Sequence, residues 1–169
     1  IYRFFWNDFC DWYLEIAKFR IRGGATEPKA VLAWVLDQSL RMLHPVTPFI
    51  TESIWARLNA LVSSRGPQRT ICRHPLIITR WHEPNPAAHD ATVETQFAMV
   101  QDIIRNLRDL RSKYNIEPSR KLAAILLANG AEKDVLAANA DVIRELANLS
   151  DLRIESDAAQ PDDAAAAVA

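Results

Sequence analysis

From Val93 to Tyr114 the apolar residues Val93, Phe97, Val100, Ile104, Leu107, Leu110 and Tyr114 recur at steps of three and four. A helix with 3.6 residues per turn puts them all on one face. The predicted helix spans about 91–115, and Asn115 and Pro118 close it. The same period runs through the first third of the chain. Tyr2, Phe5, Phe9, Trp12 and Ile16 form one stripe of a helix over 1–22, opposite Arg3, Asn7, Asp11, Glu15, Lys18 and Arg22. Phe4 and Leu14 fall among the polar residues, as in a helix with a second neighbour or a contact surface. Gly23-Gly24 stops this helix. Thr26 with Pro28 predicts a capped second helix with Val31, Leu32, Val35, Leu36, Leu40 and Leu43 inside. His44-Pro45 ends it. Thr47-Pro48 starts a third, striped by Ile50, Ile54, Leu58 and Leu61. So short a link makes the two helices neighbours.

Pro67, Pro75, Pro84 and Pro86 mark residues 63–90 as a long connection, in which Leu76-Ile77-Ile78 reads as a short extended piece. Within it Arg65, Arg69, Arg73 and Arg80 have no acidic neighbour before Glu83. After Pro118 the period changes. Residues 122–127 read as a buried strand, 131–148 as one helix, and Leu152-Arg153-Ile154 as a returning strand. The expected fold is mainly α. An antiparallel helical bundle covers 1–118, a small β-α-β appendage 119–156, and a mobile low-complexity tail 157–169.

A length of 169 residues suits one domain with an appendage, and 49% apolar with 24% charged residues is ordinary for a globular chain. No apolar run reaches the roughly 18 residues that a membrane helix needs. Two cysteines, Cys10 and Cys72, make no disulfide framework and fit a reducing cytoplasmic compartment. Ile1 opens inside a helical pattern with no signal peptide, so the chain reads as a fragment of something longer. The net charge of −1 excludes a uniformly basic coat, but it arises by cancellation. Residues 102–121 hold six cations against three carboxylates, and residues 131–163 hold nine carboxylates against three cations. A polyanion would therefore meet the bundle side rather than the tail.

Nothing in the sequence forms a catalytic constellation. Gly23-Gly24 is the only glycine pair, and Gly66 and Gly130 stand alone, so no glycine-rich phosphate loop exists. Asp11 and Glu15 have the spacing of an acid–base pair, but Arg3, Lys18 and Arg22 around them favour a salt-linked face. Cys72, His74, His82 and His89 offer zinc donors without the spacing of a ligand pair, and read as loop residues with no metal. Cys10 reads as a small core residue. Trp12, Trp34 and Trp55 read as bundle core, whereas Trp6, at the stripe's edge, is the candidate for exposure and stacking.

Three stretches carry a family signature. Phe9-Cys10-Asp11-Trp12-Tyr13-Leu14-Glu15 with Lys18 resembles the first anticodon-bundle helix of the valyl-tRNA synthetase family. His44-Pro45-Val46-Thr47-Pro48-Phe49-Ile50-Thr51-Glu52 resembles that family's His-Pro-Phe-Met-Pro-Phe-Ile-Thr-Glu run, from which Val46 and Thr47 depart. Leu110-Arg111 and Tyr114 to Leu122 resemble its helix-to-strand junction. The matches stand in family order over residues 1–155 and point to the Val/Ile/Leu group of class Ia synthetases. The first and third favour the valyl member over the isoleucyl and leucyl ones. The resemblance implies an anticodon-binding domain whose partners are the tRNA(Val) anticodon stem-loop and the rest of the synthetase chain, with no membrane. The full-length ligase uses ATP and Mg²⁺ to activate valine, but the His-Ile-Gly-His and Lys-Met-Ser-Lys-Ser signatures are absent here, so this fragment has no catalytic residue and no cofactor of its own. Under that resemblance, Arg3, Lys18, Arg105 and Arg108 are expected to position phosphates, and Trp6, Asn7 and Asp11 to stack on or read bases. Arg111 turns back toward the apolar stripe and is set aside. The rival readings are a helical-bundle protein-interaction module and a free-standing enzyme.

Overall fold

The first helix departs from the period on which its sequence pattern rests. In a computed structural model describing residues 1–61, 74–81, 83 and 85–156, Phe4–Tyr13 is π-helical and runs directly into α1 (Leu14–Arg22). Closing the backbone rings from i to i+5 widens each turn and brings residues four apart nearer to eclipse. Phe5 and Phe9 accordingly approach to 5.3 Å between ring centroids, and Phe9 and Tyr13 to 6.1 Å. Phe9 and Trp12 are buried, as the stripe predicts, and Phe5 and Ile16 are half-buried. Tyr2 is not: it is 75% exposed, because α1 rather than the first turn packs on the next helix. Gly24, at φ +93°, takes the left-handed conformation that ends the helix.

Chain contacts separate two compact units, Ile1–Asn85 and Pro86–Ala169. In the first, α2 (Glu27–Leu43) packs on α1 and on α3 (Pro48–Leu61). Its core is Ala33, Leu40, Trp55, Leu58 and Leu76, flanked by Leu36 and Ile54. Two details differ from the sequence expectation. Thr26 occupies the N-cap without a side-chain capping bond, so of the two start signals only Pro28, whose φ suits the first turn, is realised. The inward face of α3 carries Thr51, Trp55 and Leu58, while Ile50 and Leu61 point outward.

A buried polar knot joins α2 to the connection that follows α3. Asp37 accepts from Arg41 Nε at 2.8 Å and Gln38 Nε2 at 2.9 Å. Arg41 Nη1 donates to the Arg80 carbonyl at 2.7 Å, and its guanidinium lies 5.0 Å from the Trp55 ring centroid. Trp55 Nε1 donates to the His74 carbonyl at 3.0 Å, and the Leu76 N–H donates to both Glu52 oxygens. Tethered this closely to α3, Leu76–Ile78 curls into a 3₁₀ turn instead of the extended piece expected.

In the second unit α4 (Ala91–Lys113) starts at Asp90, whose carboxylate accepts from the Thr92 and Val93 N–H groups. Val100 and Ile104 at its centre are fully buried, while Val93 and Tyr114 at its ends are exposed. β1 (Leu122–Leu127) and β2 (Leu149–Glu155) pair in parallel, with Ala124 opposite Leu152 and Leu126 opposite Ile154. A β-α-β crossover is therefore present. The single helix expected between the strands is two: α5 (Gly130–Ala138) and α6 (Ala140–Leu146). They part at Asn139, whose side-chain amide donates to the Val135 carbonyl and competes with the backbone ladder. Leu136, Ile143, Ala147, Leu149 and Leu152 are buried in this unit.

Trp34 and Cys10 are half-buried. Among the described residues no helix is long and apolar enough to cross a membrane. Arg65, Pro67, Arg69, Cys72, Arg73, His82, Pro84 and the 157–169 tail lie outside the described residues.

Candidate nucleic-acid interface

Arg3, Trp6, Asn7, Asp11 and Lys18 all project from the first helix into solvent. Trp6 is 58% exposed, and its ring lies nearly parallel to that of Tyr2, with planes 6° apart and centroids 6.5 Å apart. Two parallel, wet aromatic faces beside a guanidinium and an amide supply what an unpaired base needs: a stacking surface, a phosphate anchor and an edge-reading group. The sequence stripe placed Tyr2 inside. Its spacing of four from Trp6 was the available signal for this pair. Lys18 Nζ holds Glu15 at 2.6 Å, so part of the expected salt-linked face is present. Further along, burial pushes the Tyr13 phenol above its ordinary pKa while Arg20 pulls it down. The group therefore stays neutral at physiological pH.

The basic stretch on α4 is put to mixed use. Arg105 is exposed and pairs with Asp102 at 2.6 Å. Arg108, one turn on, donates from Nε and Nη2 to the Leu146 carbonyl at 3.1 and 2.9 Å, placing a cation at the C-terminal end of α6. Arg111 is half-buried. It reaches the carbonyls of Glu117, Pro118, Arg120 and Asn148, at 2.7 Å for Arg120. It thus staples the α4–β1 junction to the turn before β2.

Exposed pairs such as Lys18–Glu15 and Arg105–Asp102 are each worth about 0–1 kcal/mol, so a phosphate can displace the carboxylate. Arg108 uses its Nε and Nη2 donors on the Leu146 carbonyl. The structure brings Arg3, Trp6 and Asn7 together near one turn of the first unit, and Arg105 and Arg108 onto one face of the second. Among the described residues no three His, Cys, Asp or Glu side chains gather to hold a metal. His74 is exposed, and His89 pairs with Glu94 at 2.8 Å.

A family model for the anticodon-binding domain of tRNA ligase matches residues 1–126. Curated proteins similar to the chain include valine–tRNA ligases from three bacteria. That of Thermosynechococcus vestitus is 36% identical over 92% of this chain and 16% of its own length. That of Geobacter sulfurreducens is 37% identical over 100% and 19%, and that of Caulobacter vibrioides 38% over 94% and 17%. The chain thus spans less than a fifth of the length of these relatives.

Proposed function

The chain belongs to the family of anticodon-binding domains of tRNA ligases, and on that premise we propose that it holds the anticodon stem-loop of tRNA(Val) within a valine–tRNA ligase. The observation that carries this reading is the similarity to valine–tRNA ligases over 92–100% of the chain. In it, the recognition surface lies within residues 1–118. Bases of an anticodon loop are unstacked and present free faces and edges. Trp6, with Tyr2 beside it, stacks on one of them, while Asn7 and Asp11 read polar edges. Arg3 and Lys18 of the first unit contact phosphates of the tRNA, and Arg105 and Arg108 of the second form a separate phosphate-contacting pair. This chain takes no step in the reaction. ATP and Mg²⁺ serve valine activation on ligase polypeptide outside it, in the cytoplasm, where the charged tRNA is used.

Titrating this chain with tRNA(Val) at a series of salt concentrations tests the surface. Four phosphate contacts give a slope of log affinity against log salt of about −3. A tRNA carrying a swapped anticodon is expected to bind more weakly at every salt. Equal affinity for the two, or a slope near zero, refutes the assignment. Trp6→Ala is expected to weaken binding by about 1–3 kcal/mol, the value of one base–aromatic stack, and to leave the salt slope unchanged because no charge is removed. Trp6→Phe should retain most of the affinity. A Trp6→Ala variant that binds like the parent removes stacking from the mechanism.

A further inference from the structure

The run from His44 to Glu52 carries one of the three family matches, yet the proposed tRNA surface uses none of it. Its apolar members are outside: Val46 is 79% exposed, Phe49 91% and Ile50 58%, with Pro45 and Pro48 exposed between them. Behind them the backbone is tied down. The Val46 and Thr47 N–H groups and Thr47 Oγ1 all donate to the Leu43 carbonyl. Thr51 Oγ1 donates to the carbonyls of Thr47 (2.8 Å) and Pro48 (3.1 Å), and His44 Nδ1 meets the same hydroxyl at 2.8 Å. With that hydroxyl proton committed, Nδ1 is the donor to Thr51. Two prolines restrict φ further. The turn therefore holds the backbone at Phe49 in place with its side chain turned to solvent, and a partner that covers it has little backbone freedom to remove. Apolar clusters exposed in this way mark contact sites.

The charges around it select the kind of partner. No Lys or Arg occurs from residue 44 to 56, and the one carboxylate, Glu52, is turned to the Leu76 N–H. Arg41, just before, is taken by Asp37 and the Arg80 carbonyl. A nucleic acid would find no phosphate contact here, whereas an apolar protein surface meets no buried charge. The relatives are far longer than this chain. The chain matches 16–19% of their length, so more than four-fifths of such a ligase is polypeptide outside it, tethered at high effective concentration.

We infer that Val46, Phe49 and Ile50 form a rigid knuckle that docks on an apolar surface elsewhere in the same ligase polypeptide and sets the orientation of the anticodon-binding unit. This rests on reading the chain as part of a longer ligase. The test uses the full-length ligase with Phe49→p-benzoylphenylalanine, irradiated with and without tRNA(Val), digested and sequenced by mass spectrometry. A second carrier, Val46→p-benzoylphenylalanine, covers a failure of the first to express. The expected product is a cross-link within one molecule to a peptide outside this chain's 169 residues, formed with or without tRNA. Cross-links to tRNA, to a second ligase molecule or only within these residues overturn the inference, as does their absence. Charging of tRNA(Val) with valine by the wild-type ligase is measured alongside. Its failure sinks the functional reading, while the cross-link still reports the polypeptide contact by itself.

Discussion

Trp55→Ala is expected to cost the first unit about 3–5 kcal/mol, the range for emptying a large aromatic site in a core. Trp55 is 1% exposed and is the largest fully buried side chain described. Three things leave with it. Its ring fills the space among Ala33, Leu40, Leu58 and Leu76. Its Nε1–H satisfies the His74 carbonyl, and its face carries the Arg41 guanidinium. The cavity is central, so neighbours on α2 and α3 close it only in part. Urea unfolding followed by the fluorescence of the remaining tryptophans measures the change. Trp55→Phe, which keeps most of the ring and loses the hydrogen bond, is expected to fall between parent and Ala. A loss below about 1 kcal/mol for Trp55→Ala is outside the range of core aromatic truncations and contradicts the described packing.

Arg111→Ala is expected to cost the second unit about 3 kcal/mol, given hydrogen bonds to charged groups of about 1.5–3 kcal/mol and partial rehydration of the freed carbonyls. One planar guanidinium reaches four carbonyls across the α4–β1 junction and the turn before β2. At that turn Asn148 takes φ 54°, and its side chain donates to the Pro118 carbonyl, so the junction is closed from both sides. Amide exchange at residues 117–122 and 147–150 is expected to accelerate in the variant, with residues 1–61 unaffected. Arg111→Lys should rescue little, since a single ammonium cannot reproduce the fork. Full rescue by Lys would show that charge alone, without the fork geometry, holds the junction.

Periodicity and punctuation determined the helices over 27–43, 48–61 and 91–113 and the strand–helix–strand order after Pro118, because hydrophobic spacing is a local property of the chain. Motifs in order likewise carried the family resemblance, and the exposed Arg3, Trp6, Asn7, Asp11 and Lys18 followed from one helical wheel. Only the tertiary structure decided what the same residue types do against distant neighbours. Arg108 and Arg111 look alike in a basic run, yet they are drawn to carbonyls 38 and 37 residues away. Tyr2, Ile50 and Phe49 are as apolar as their buried neighbours, but no element of their unit reaches them. Leu76–Ile78 curls because Glu52, 24 residues earlier, takes its first N–H. Each of these outcomes depends on a partner brought near by folding, and a spacing rule carries no information about such a partner.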